Sequence, residues 1–204
     1  MSFTDWTGLS GLALVWVLLA LRLPLATRLN QPQRWLFVLA VYGAVLLPVF
    51  VLSLAGFLRG MVGDLSMPSV LLLVAALSAR LRQLAGGGGT AWWSVRERLT
   101  LFLFISVLAL LLYPFTLGIG MLDPYRSGFG GVGLLVMLAL LSLWSMRRSS
   151  YLLPAACALA VAAWSMGWYE STNIWDYLID VPLAIYAIVQ TVKAMLQARK
   201  AERV

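Results

Sequence analysis

The chain has no histidine, one cysteine, two lysines and eight acidic residues in 204. Each shortage excludes a class of chemistry. Without histidine there is no imidazole acid/base catalysis, no His-ligated metal and no His-ligated haem. Cys157 cannot form an intrachain disulfide, and inside the apolar run that holds it a thiol acts as a small buried hydrophobe. Charged residues make up 11% of the chain, against about 25% in an ordinary soluble domain. No cofactor and no metal are expected from this composition.

What the chain has is hydrocarbon. Hydrophobic residues make up 62%, where about 45 to 50% is usual, and the mean hydropathy is +0.90. A membrane span needs about 20 apolar residues. Such runs consume nearly the whole length, so function is expected in the bilayer or in short loops. The first run, Leu9 to Leu21, is preceded by Asp5 and by no Lys or Arg. Arg22 and Pro24 stand where a small-residue cleavage pattern would follow, so the run reads as a transmembrane helix.

Apolar runs set against charged breaks predict an all-α polytopic bundle of about seven spans: 7–25, 35–57, 67–85, 99–119, 129–146, 151–168 and 179–197. All 204 residues are then one integral membrane domain. The breaks alternate in charge. One set holds Arg22, Arg28, Arg34, Arg80, Arg82, Arg96, Arg98, Arg147, Arg148, Lys193, Arg199, Lys200 and Arg203, with Glu97 and Glu202, for a net +11. The other holds Arg59 and Arg126 with Asp5, Asp64, Asp123, Glu170, Asp176 and Asp180, for a net −4. Basic residues stay on the cytoplasmic side of short-looped membrane proteins. The N-terminus is therefore expected outside and the C-terminus in the cytoplasm, and the formal +7 reflects topology instead of nucleic-acid binding. The excess of Arg over Lys, 13 to 2, is compatible with a bacterial inner membrane.

Trp6, Trp35, Trp92, Trp93, Trp168 and Tyr169 sit near span ends, where amphipathic rings anchor at the interface. The glycine run at 86–89 lacks the Lys and Ser/Thr of a phosphate loop and reads as a flexible linker. Prolines 48, 114, 154 and 182 fall where they would kink their spans.

Three polar loops face the outside: FLRGMVGDLSMPS (57–69), YPFTLGIGMLDPYRSGFGG (113–131) and YESTNIWDYLID (169–180). They gather Arg59, Asp64, Ser66, Asp123, Tyr125, Arg126, Glu170, Asn173, Trp175, Asp176, Tyr177 and Asp180 onto one rim. Asp64 to Pro68 reads as a capping stretch in which Ser66 accepts from backbone N–H groups. Asp123-Pro124-Tyr125 reads as a turn. Asn173 reads as the N-cap of the last helix. On a helix, Glu170, Asn173, Asp176 and Asp180 would form one acidic stripe flanked by Trp175 and Tyr177, with like charges that need compensation. Asp180 lies where the last span enters hydrocarbon, so its charge needs a partner. A network of Arg59 and Arg126 with Asp64, Asp123, Asp176 and Asp180 is the expected compensation.

Two functions fit such a rim. In one, the protein is an accessory or scaffold subunit whose acidic, aromatic rim docks an envelope protein, since Trp, Tyr and Arg dominate interface energetics. In the other, it is a membrane enzyme acting on a lipid-linked substrate at the outer interface, with Asp64, Asp123 and Asp176 as candidate catalytic carboxylates. A solute carrier is disfavoured because no span carries a charge near its centre and only hydroxyls and Gln190 lie within spans.

Overall fold

A computed structural model describes residues 2–49, 51–88 and 91–201; Gly89 of the glycine run and Glu202 and Arg203 of the charge count lie outside them. Among the described residues the protein is all-helical, with no strand. Its helices are α1 (Phe3–Ala20), α2 (Pro24–Arg28), α3 (Gln31–Leu46), α4 (Leu54–Val62), α5 (Met67–Leu84), α6 (Val95–Thr116), α7 (Val132–Arg147), α8 (Leu152–Ser165), α9 (Trp175–Leu178) and α10 (Val181–Ala201). A 3₁₀ turn, Pro124–Gly128, lies between α6 and α7.

Local chemistry fixes where these helices begin. The first backbone N–H groups of a helix have no partner within it and must find one on a side chain or in water. Capping boxes supply partners at three starts: Ser2 with Asp5 for α1, Asn30 with Gln33 for α3, and Ser94 with Glu97 for α6. Ser53 caps α4 by accepting from Gly56 N at 3.0 Å. Six of the eight prolines occupy the first turn of a helix, where a missing N–H is harmless. Pro154 and Pro182 are among these, so they start α8 and α10 instead of kinking them. Pro114 alone lies inside a helix body.

The expected span 35–57 is two helices. α3 ends at Leu46 and Pro48 follows, which cannot donate the hydrogen bond that a continuing helix requires. Ser53 then caps a new helix, α4.

The chain packs as two compact units. The first comprises residues up to 65, 69–92 and 168–170. Here α1 packs against α3 and α4. Leu9, Leu12, Ala55 and Leu65 are buried together with Leu58, Val62, Val70 and Leu73 against them. Val17, Leu21, Ala26 and Val38 form a second cluster with Leu77 and Leu81. Tyr169, expected near a span end, is buried and donates its hydroxyl to Leu65 O at 2.6 Å. Thr7 Oγ1 donates to Trp168 O, and the Trp168 ring meets Phe3 edge-on.

The second unit comprises residues 66–68, 93–167 and 171 onward. α6 and α10 form its main pair, with α7 against α8, and α8 against α6 and α9. Leu101, Ile105, Leu108 and Leu112 recur at spacings of four, three and four along one buried face of α6. α10 buries the small Ala184 and Ala187 beside Leu183, and small residues let helix backbones approach closely where water supplies no drive for association. Ser106 Oγ donates to Phe102 O at 2.7 Å and lies 3.2 Å from Thr191 Oγ1. Both hydroxyls are thus engaged by helix partners.

The outward faces are apolar. Leu36 and Leu39 on α3, Leu103, Val107 and Leu110 on α6, Leu140 and Leu143 on α7, and Ile185 and Val189 on α10 are all exposed. Burial of hydrocarbon against water cannot favour such a surface, whereas a lipid solvent can. Four helices, α1, α5, α6 and α10, are long and apolar enough to cross a membrane, and α7 and α8 are shorter apolar helices.

One packing detail yields a test. Gly8 of α1 lies against the Asp64 carboxylate and the Arg59 guanidinium, and a Cβ there has no room. Gly60 of α4 has open space at the same position. Gly8→Ala is expected to cost about 1–3 kcal/mol by overpacking, seen as a fall of several degrees in the melting temperature in detergent. Gly60→Ala should be neutral or stabilise by about 0.5–1 kcal/mol.

Candidate functional site

The polar segments before α7 and before α10 fold onto one another within the second unit, around Asn173. Its side chain is 0% exposed. Nδ2 donates to Tyr125 O at 2.9 Å, and Oδ1 accepts from Trp175 N at 3.0 Å. Ile174 N donates to Gly128 O at 3.0 Å. The Trp175 indole nitrogen donates to Pro124 O at 3.1 Å and to Ser127 Oγ at 3.3 Å. Tyr177 donates its hydroxyl to Ser171 O at 2.9 Å. Gly128 makes this fit: the place of a Cβ is filled by the Asn173 amide oxygen and the Trp175 ring. A buried polar network of this kind is stable only when its members are satisfied, and it then specifies a single arrangement.

Beside this node is a half-open cleft of about 310 Å³, lined by Leu112, Tyr113, Thr116, Tyr125, Trp175, Asp176 and Ile179. Asp176 is its one ionisable acid. Tyr125 donates its hydroxyl to Asp176 Oδ2 at 2.8 Å, and Ser171 Oγ donates to the same oxygen. Burial, then the bond to Asp176, pushes the Tyr125 phenol up to about 12, so Tyr125 remains a neutral donor at any physiological pH.

Asp180 is 5% exposed. Its Oδ2 accepts from Ser66 N at 2.8 Å and Ser66 Oγ at 2.7 Å, and its Oδ1 accepts from Leu183 N at 2.7 Å. The last bond caps α10. Three donors replace the water that this carboxylate gives up.

In the first unit, Arg59 holds two acids. Its Nε and Nη2 grip Asp64 at 2.7 and 3.0 Å, and Nη1 reaches Asp5 at 2.9 Å. The bond to Asp64 is the chief reason that Arg59 holds its proton still more firmly than a free guanidinium, with Asp5 and the charge of Glu170 adding to it.

Several sequence expectations are corrected here. Glu170, Asn173, Asp176 and Asp180 do not form a helical stripe. Residues 168–174 are irregular, and α9 is one turn, so the charges are separated by backbone instead of stacked. Asp180, not Asn173, caps the last helix. Trp175 and Tyr177, expected on flanking faces, are 6% and 0% exposed. Ser66 donates its amide and its hydroxyl to Asp180. The Arg–Asp network is confined to Arg59. Arg126 is exposed and makes no ion pair among the described residues. Asp123 instead caps its own 3₁₀ turn, accepting from Arg126 N at 3.1 Å, as a turn reading requires. Of the three candidate catalytic carboxylates, Asp64 belongs to the first unit's ion pair, Asp123 to this turn, and Asp176 to the cleft.

Sequence reasoning missed Ser171 and Gly8, and counted Asp5 only among the outer acids. Only Asp5 carried a local signal, the Ser-x-x-Asp spacing of a capping box.

The two arginines now separate. Arg59→Ala should lower folded yield in detergent, because it leaves two partly buried acids uncompensated, whereas Arg126→Ala should match wild type. Asn173→Ala leaves Trp175 N and Tyr125 O without their partners, at about 1–3 kcal/mol per group. It should cost more than Asp123→Ala, which removes one exposed cap worth about 1 kcal/mol; thermal unfolding of the two variants compares them. No protein-family model, curated protein or solved structure compared with this chain matches it.

Proposed function

We propose that this is a multi-pass inner-membrane protein of about seven spans, with its N-terminus outside, acting as an accessory subunit whose acidic, aromatic outer rim docks an envelope protein. The charge asymmetry of the loops supports the orientation: a −4 side faces a +11 side. α7 and α8 count as spans in this reading although each is under 18 residues, and α3 carries the second span alone.

The observation that carries the docking reading is an apolar pair left uncovered beside an ordered polar rim. Beyond the expected end of the fourth span at residue 119 the chain exposes Met121 and Leu122, with Met121 fully exposed at 105%. The residues that follow are held by the hydrogen bonds of Asn173, Trp175 and Asp123. An exposed apolar patch rimmed by polar groups is the usual mark of an interaction site. The rim's net negative charge selects a partner whose apolar contact face is bordered by basic groups. Trp175 and Tyr177 then act by shaping the platform from within.

The enzyme reading has less support, since Asp176 is the one carboxylate lining the cleft and acid/base work uses a pair or a comparable partner.

Two measurements test this proposal. In a cysteine-free Cys157→Ser background, Thr172→Cys should react with a membrane-impermeant maleimide in intact cells, and Ala91→Cys, exposed in the loop before α6, only after permeabilisation. The reverse pattern overturns the orientation. For docking, tagged wild type and a Met121→Asp/Leu122→Asp variant are extracted in gentle detergent and compared by native mass. Both side chains are exposed, so the variant should fold. A stoichiometric partner released by high salt and absent from the variant is expected; two lone, equally abundant proteins would overturn the docking role.

A further inference from the structure

The cleft beside Asp176 has a lining with its own chemistry. Three aromatic side chains, Tyr113, Tyr125 and Trp175, and one carboxylate face about 310 Å³ of space, and no Lys or Arg is among the lining residues. That volume is at the lower end of the roughly 300–1,000 Å³ typical of small-molecule sites. Aromatic faces attract cations through the ring quadrupole, and an adjacent carboxylate adds a full charge to that attraction.

The carboxylate is also half committed. Tyr125 and Ser171 both donate to Oδ2 of Asp176, which fixes the group in place. Oδ1 accepts no hydrogen bond among the described residues. The surrounding field has the same sign. Tyr113 and Thr116 belong to the last turn of α6, the negative end of that helix's dipole. Arg126, in the neighbouring turn, is exposed and does not line the cleft.

Other ligand classes fit worse. An anion would meet a carboxylate and no basic group. A divalent ion needs about six oxygen ligands, and one carboxylate with a few hydroxyls falls short. A pure hydrocarbon would strip water from Asp176 Oδ1 and offer it no donor in exchange. From these features we propose that the cleft binds a ligand through a positively charged ammonium group, as carried by an ethanolamine-type lipid head group or by a soluble amine. The ammonium sits against Asp176 Oδ1 within the three rings, and Leu112 and Ile179 receive the adjoining carbons. This site does not rest on the docking role: Met121 and Leu122 do not line it, so the Met121→Asp/Leu122→Asp variant should bind as wild type does.

The test is native mass spectrometry of the full chain in detergent, titrated with phosphatidylethanolamine, its N-acetyl derivative and phosphatidylglycerol of the same acyl chains. N-acetylation removes the charge and little else. Wild type should hold phosphatidylethanolamine at least about tenfold more tightly than the other two. Asp176→Asn should bring the three toward parity, and Thr116→Phe, which fills the cleft from an exposed position, should abolish the preference without touching Asp176. If Asp176→Asn fails to fold, Thr116→Phe still decides. Displacement of the lipid by n-butylammonium would assign recognition to the ammonium alone, from solution. Retained preference without displacement would assign it to a head group presented from the bilayer. Equal binding of the three lipids by wild type, or a preference that survives in the folded variants, would overturn the proposal.

Discussion

The Asp180 carboxylate is the constraint on which the second unit's architecture depends. A charge that is 5% exposed at the head of an apolar helix persists only if donors replace its water. The backbone N–H groups at a helix start need acceptors for the same reason. Asp180 answers both needs: Leu183 N and the amide and hydroxyl of Ser66 satisfy it, and it satisfies them. Because the bond to Leu183 fixes where α10 begins, it also fixes the register of the residues before it. Asp176, four positions earlier, lines the cleft, and Tyr177 is buried behind it.

The same economy governs nearly every acid in the chain. Asp5 closes a capping box and takes a bond from Arg59. Glu97 closes another and also accepts from Tyr151 N at 3.1 Å, just before α8. Asp64 is gripped by two guanidinium nitrogens, Asp123 caps a turn, and Asp176 anchors Tyr125 and Ser171. In a chain so poor in charge, acids act first as local acceptors for donors that hydrocarbon cannot satisfy. Asp176 differs from the rest in retaining an open oxygen beside a cleft, which is why it carries the chemistry proposed for this protein while Asp64 and Asp123 do not.

Rigidity and function are connected through glycine. At Gly8 and Gly128 the absent Cβ is replaced by a polar partner, the Asp64–Arg59 pair in one case and the Asn173 amide in the other. With the polar groups locked inward, the loop after α6 is left with an apolar surface at Met121 and Leu122. A platform held by side-chain hydrogen bonds loses little further freedom on binding, which favours a specific contact over a promiscuous one.

The sequence by itself determined the solvent and the class. Composition and apolar run length required helices in a lipid environment, and the positions of α1, α5, α6 and α10 follow those runs, because span length and hydropathy are one-dimensional quantities. Turn chemistry at Asp123-Pro124 was legible for the same reason: Asp and Pro act on their immediate neighbours. The tertiary structure alone decided the partners. Whether Asp180 meets Arg126 or Ser66, whether Trp175 faces outward or inward, and that Gly128 yields its place to Asn173 depend on segments 45 to 114 residues apart being brought together. Spacing rules assume a regular element; over residues 168–174 there is none, so the expected acidic stripe had no helix to lie on. A charge count gives how many partners a membrane protein must supply. Only packing assigns them.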